Sequence, residues 1–239
     1  MWCLRNKKTI VFLCTAACIA LFLWPPAFAQ TIQPLIVEYN GKAGGRFQVT
    51  NNTLEPMAIV LEPKSFSLDD KGWATYRKLD GTIHLELSTM SFRLEPKQTY
   101  YIFYKAHADI LPAWFTVYAV FSPIRKGEGL KVRIMLPHTV YLYQKKPIDK
   151  AAIDVKKVTY LPDKKLILCD LENMSQALIR VQQVRADGGK TPVFAGGFPL
   201  LPGSPRHLEI PWDEATPPTD LLVHFPHFDV KEPISIQNQ

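Results

Sequence analysis

Two histidines and a carboxylate stand close together in His224-Phe-Pro-His227 and Asp229, residue types that can meet at a transition-metal ion. Pro226 intervenes and no second ligand cluster lies elsewhere in the chain, so no metal is expected there. His84, His107, His138 and His207 fall in separate segments with no shared spacing and read as surface or internally satisfied positions. Cys169 sits in Lys165-Leu-Ile-Leu-Cys-Asp170, a strand-like run in which a thiol behaves as a small buried hydrophobe. A nucleophilic cysteine needs a histidine or a helix N-terminus beside it, and this stretch offers neither. Asp69 and Asp70 precede Gly72, where short carboxylates bond the backbone of their own turn. The chain has no Gly-x-Ser-x-Gly elbow, no phosphate-binding P-loop, no dinucleotide turn and no Cys-x-x-Cys. It is expected to be no enzyme and to need no cofactor.

Binding chemistry is more visible. Leu130-Lys-Val-Arg-Ile-Met-Leu136 puts Leu130, Val132, Ile134 and Leu136 on one face of a strand and Lys131 and Arg133 on the other. A strand of that pattern packs on a core. Placed last in a domain, with an exposed edge, it can also accept a strand from a partner: backbone pairing supplies affinity and alternate side chains supply selectivity.

The elements that would position this strand are themselves strands. Short runs rich in Val, Ile, Phe, Tyr and Leu are punctuated by Pro, Gly and Asn turns, and nothing reads as a long amphipathic helix. In the first half the pattern predicts strands near Leu35–Tyr39, Gly45–Thr50, Met57–Pro63, Ile83–Leu87, Ser91–Leu94, Thr99–Lys105, Ala113–Phe121 and Leu130–Tyr143. That spacing describes an immunoglobulin-type antiparallel sandwich. Residues 147–152 break the pattern, and Lys145-Lys146 and Lys156-Lys157 read as a solvated junction. The second half echoes the first: Phe47-Gln-Val-Thr-Asn51 then Met57–Leu61 matches Leu166–Asn173 then Leu178–Gln182, each a strand ending in Asn, a polar turn and a second strand. The fold class expected is all-β, two tandem immunoglobulin-like sandwiches over residues 30–147 and 148–239.

Residues 1–29 read as a cleaved secretory signal. Arg5, Lys7 and Lys8 precede an apolar stretch from Thr9 to Leu23, and Ala27-Phe28-Ala29 is an A-x-A cleavage site. Cys18 follows Thr15-Ala16-Ala17, but a lipid-attachment signal usually has Leu where Thr15 stands. Without the three leader bases the remainder has 25 basic and 22 acidic residues, no nucleic-acid footprint. It keeps Cys169 alone of the four cysteines, so stability is expected from buried apolar surface rather than disulfides.

Several segments together resemble the PapD-like periplasmic chaperones of the chaperone-usher pilus pathway. They are Gly45–Asn51, Phe92–Gln98, Trp114–Phe121 with Pro123, Leu130–Pro147, Leu166–Asn173 and Gly197–Arg206. The resemblance implies two sandwiches set as an L or boomerang. It also implies a periplasmic protein that holds secreted pilus or fibre subunits by lending its last first-domain strand, with an outer-membrane usher as a further partner. Leu130, Val132, Ile134 and Leu136 would be the donated side chains. The family anchors a subunit's terminal carboxylate with a first-strand Arg and a last-strand Lys. Here residues 31–37 hold no base and the lysine position falls on about Tyr141 or Leu142, so the anchor is missing or moved. Pro137 is expected to interrupt the donor strand. The alternative is a structural or adhesive surface protein. A pilus subunit would have one incomplete domain, and a copper oxygenase on such a sandwich would need an N-terminal His where cleavage leaves Gln30 or Thr31.

Overall fold

The computed structural model describes residues 29–124 and 132–237. The leader expected over residues 1–29 lies outside them except for Ala29, and Leu130 lies outside them too. From the start of this region the strands run β1 (Thr31–Gln33), β2 (Ile36–Asn40), β3 (Ala43–Thr50), β4 (Met57–Leu68), β5 (Ala74–Lys78), β6 (Ile83–Leu87), β7 (Ser91–Leu94), β8 (Thr99–Ala108), β9 (Ala113–Pro123) and β10 (Ile134–Tyr143). Then follow β11 (Ile153–Leu161), β12 (Leu166–Asn173), β13 (Ile179–Asp187), β14 (Val193–Leu200), β15 (Pro205–Pro211), β16 (Asp220–His224), β17 (Asp229–Pro233) and β18 (Ser235–Ile236).

These strands make four sheets. One has the order β1-β3-β8-β6; the second runs β2-β10-β9-β4-β5, with β7 also paired to β4. The third and fourth are β15-β12-β11-β18 and β14-β13-β16-β17. Alternation explains the pairing of faces: in β8 the residues Ile102, Tyr104 and Ala106 are buried while Tyr101, Phe103 and Lys105 are exposed. The first two sheets enclose a core that includes Phe47, Ile59, Leu94, Ile102, Phe115, Phe121 and Leu142. The other two enclose Ile167, Leu171, Val181, Trp212, Leu221 and Phe225. Cys169 is buried in that second core.

The repeat seen in the sequence is a repeated hydrogen-bond device. Asn51 and Asn173 are both fully buried. The Asn51 amide donates to the carbonyls of Glu55 (2.6 Å), Leu94 (3.2 Å) and Glu95 (3.2 Å), while its oxygen accepts from the N–H (3.1 Å) and hydroxyl (2.6 Å) of Thr53. The Asn173 amide donates to Ala177 (2.6 Å) and Leu200 (3.1 Å), and its oxygen accepts from the N–H (3.0 Å) and hydroxyl (2.7 Å) of Ser175. Each turn thus crosses the end of its sandwich without leaving a buried polar group unpaired.

Every strand expected in the first half is present, Ile83–Leu87 and Ser91–Leu94 with the expected ends and the others with shifted ones. β1 and β5 were not legible: one is three residues long, and the other, Ala74-Thr-Tyr-Arg-Lys, is an exposed edge without alternation. The strand expected from Leu130 begins at Ile134, so Val132 precedes it as irregular chain. Pro137 does not interrupt the strand: register with β9 is continuous from Ile134↔Phe121 to Leu142↔Ala113. Lys156 and Lys157 lie inside β11, at a bulge, rather than in a linker.

Candidate strand-accepting edge

β10 is paired with β9 on one side from Ile134 to Leu142. On the other side β2 runs parallel to it over Thr139–Tyr143, beginning where the Thr139 N–H donates to the Leu35 carbonyl at 2.7 Å. Upstream of Thr139 no strand among the described residues covers that edge. Successive backbone groups point to opposite sides of a strand, so Thr139 fixes the parity. The N–H and C=O of Met135, and the C=O of Pro137, face the uncovered side. Pro137 therefore sits where its missing N–H breaks no bond to β9, the position on an edge strand that tolerates proline.

The side chains divide accordingly. Ile134 and Leu136 point inward and pack, half-buried, against the open end of the first core. Met135 points outward and is 44% exposed, and Val132, ahead of the strand, is 54% exposed. Of the four residues expected to be donated, Ile134 and Leu136 share a face of β10, Val132 lies outside any strand, and Leu130 is not described.

Below this edge the two sandwiches meet. Phe66, Tyr141, Leu178 and Leu201 form a buried cluster joined by Trp114 and Tyr143, and the Trp114 indole donates to the Phe66 carbonyl at 2.8 Å. The Gln144 side chain closes two bonds with the Leu178 backbone, donating to its carbonyl and accepting its N–H, both at 3.0 Å. The Asp70 carbonyl accepts the His207 N–H at 2.7 Å, so the long β4–β5 hairpin rests on β15. A cleft of about 370 Å³ between the sandwiches is lined by residues that include Glu38, Tyr143, Lys145, Lys146, Arg180 and His227.

The cleft holds an ion pair that the sequence did not reveal. The Arg180 guanidinium, from β13, donates to the Glu38 carboxylate of β2 and lies over the Tyr141 ring, 5.6 Å from its centroid. Burial pushes the Tyr141 hydroxyl up to about 12, against the Arg180 charge that pulls it down and with Glu38 adding to the rise. The position expected to carry an anchoring lysine is thus an aromatic floor for an arginine from the other sandwich, already paired to Glu38. No sequence signal links two residues 142 positions apart.

The segment with metal-ligand residue types is differently used. His224 and Asp229 are cross-strand partners on β16 and β17, hydrogen-bonded through His224 Nδ1, while His227 faces the cleft. Among the described residues no group of three or more His, Cys, Asp or Glu is arranged to hold a metal ion. Burial pushes the Cys169 thiol up to about 12, far from a thiolate nucleophile.

No protein-family model matches the chain, and no curated protein matches it. Solved structures do. A class 5 fimbriae chaperone, CfaA, aligns with a TM-score of 0.52 at 11% identity, covering 86% of this chain and 99% of that one. The YadV chaperone aligns at 0.51 and 11% identity, covering 85% and 98%. A chain of the Salmonella enterica SafA pilin–SafB chaperone complex aligns at 0.50 and 14% identity, covering 88% and 98%. Sequence identity this low carries the fold and not the chemistry, and on these likenesses the chain has the two-domain, all-β fold of the fimbrial chaperones.

Proposed function

We propose that this protein is a divergent, non-enzymatic periplasmic chaperone of the PapD-like kind, which holds secreted fimbrial or surface-fibre subunits on the uncovered edge of β10. In this reading residues 1–29 direct export and are cleaved, residues 30–147 form the strand-lending domain, and residues 148–239 form the second domain. An outer-membrane usher is the onward partner. Among the described residues no helix is long and apolar enough to cross a membrane.

The observation that carries the reading is the uncovered edge itself, with Ile134 and Leu136 half-buried beside it. An open edge is an aggregation hazard unless something is meant to pair with it. A subunit strand laid there would bond to Met135 and Pro137 and finish burying the two aliphatic side chains. Full burial of such a side chain is worth about 1.5 to 3 kcal/mol, of which part is already gained in the free protein. The Arg180 guanidinium in the cleft is already paired with Glu38, so the backbone groups of the uncovered edge are the contact the reading rests on.

The test is recovery of bound chains from periplasm, identified by mass spectrometry, for the wild type, Ile134→Asp and Met135→Pro. The proline removes one donor on the uncovered side and none toward β9, so the fold survives while pairing weakens. Stoichiometric small secreted subunits with the wild type, lost in both variants, support the proposal. Recovery of no subunit, or full retention by both variants, overturns it and leaves the structural or adhesive reading.

A further inference from the structure

One buried titratable group lies where the edge of β10 changes from uncovered to covered. His138 is fully buried, stacked on Phe47 of β3 (centroids 4.4 Å apart, 20° between planes) and edge-on to Tyr104 of β8 at 5.3 Å. Its Nδ1 is 2.7 Å from the Pro34 carbonyl. A carbonyl only accepts, so Nδ1 carries the proton and Nε2 holds a lone pair. That Nε2 is buried with no hydrogen-bond partner. Buried polar atoms without a partner are rare enough to need an explanation.

We propose that His138 is an acid-operated latch: when Nε2 takes a proton, the ring leaves the core and frees residues 34–37 from β10, lengthening the uncovered edge through Val140. The neighbours offer the new charge little. Phe47 does not titrate; the Tyr104 hydroxyl is 3.0 Å from that of Tyr39 and is held neutral by burial first and that hydrogen bond second. Among the described residues no charged side chain contributes to the setting of His138, where burial lowers its proton affinity more than the Pro34 bond raises it. β3 and β8 are tied by eight registered pairs, whereas β1 holds β3 by three, and Leu35 and Ile36 are 55% and 50% exposed. The β1–β2 crossover is therefore the cheapest wall to open. Opening stops at Glu38, which Arg180 holds from the other sandwich.

The sign follows from linkage. Burial lowers the proton affinity of the closed ring below its ordinary 6.5, which the ring regains in the open form. The open form gains the proton, so closure is fully present above pH 6.5 and weakens as pH falls. The open population rises as pH falls from 8.0 to 5.0, by at most about thirty-fold, the limit in which the closed ring takes no proton.

That this opening serves subunit capture rests on the proposed function, but its measurement needs no subunit. Amide exchange by NMR on residues 30–239, corrected for intrinsic rates, is compared at pH 8.0 and 5.0. The Thr139 amide, which bonds Leu35, is expected to lose protection by up to that factor, the Ile102 amide between β3 and β8 to keep its own, and His138→Phe to abolish the effect. If Thr139 is indifferent to pH, if Ile102 opens with it, or if His138→Phe keeps the dependence, the latch is wrong. Should the variant fail to fold, the wild-type His138 ring resonance decides: its titration must track Thr139 opening, and independence overturns the proposal. A latch that works in a protein that recovers no subunits would sink the proposed function alone.

Discussion

Replacing Asn173 by alanine removes four hydrogen bonds at one buried turn: two donated to the Ala177 and Leu200 carbonyls, and two accepted from Ser175. At about 1 kcal/mol net for each bond, the loss is roughly 4 kcal/mol, against a total stability of about 5 to 15 kcal/mol for a domain. With a urea slope of about 2 kcal/mol/M the midpoint falls by about 2 M. The same change at Asn51 removes five bonds and is expected to cost at least as much. Urea unfolding followed by tryptophan fluorescence reads the total. Trp212, fully buried in the second core with its indole donating to the Thr216 carbonyl, reports on that sandwich. Amide exchange then assigns the loss, Asn51→Ala to β3, β4 and β9 and Asn173→Ala to β12 and β13. A loss below about 1 kcal/mol in either variant, or loss in the sandwich that was not altered, would refute the view that these asparagines pin the two turns.

Two further outcomes are expected. Cys169, buried and with its thiol pushed up to about 12, should resist a thiol reagent at pH 8 in the native protein and react fully in denaturant; rapid native labelling would show that the second core opens readily. A double-mutant cycle on Glu38→Gln and Arg180→Gln should give a coupling of roughly 0.5 to 1 kcal/mol that shrinks with added salt, since the pair is only partly shielded from solvent; zero coupling would mean the pair does not join the sandwiches.

What the sequence made legible was local. Alternation marked the inward face of β10 at Ile134 and Leu136, and the Asn-bearing turns revealed the tandem repeat because the same device needs the same residues in both places. Alternation alone could not say where the strand begins, since Val132 and Ile134 satisfy it equally while pairing with β9 starts at Ile134. Nor could it foretell that Pro137 is tolerated: that depends on which side of β10 its missing N–H faces, a property of the parallel pairing with β2. The partnership of Glu38 with Arg180 and the seat of Asp70 on β15 are set by how the sandwiches meet, contacts for which neither segment carries a local pattern.

The central claim is that the uncovered edge of β10 is where other chains are held, and placement of a photo-crosslinking residue at Met135 tests it most directly. Glu86, exposed on β6 of the opposite sheet, is the control position. The account expects irradiation of periplasm to join small secreted subunits to the protein from position 135 and not from position 86. Crosslinks absent at 135, or equal at both positions, would contradict it.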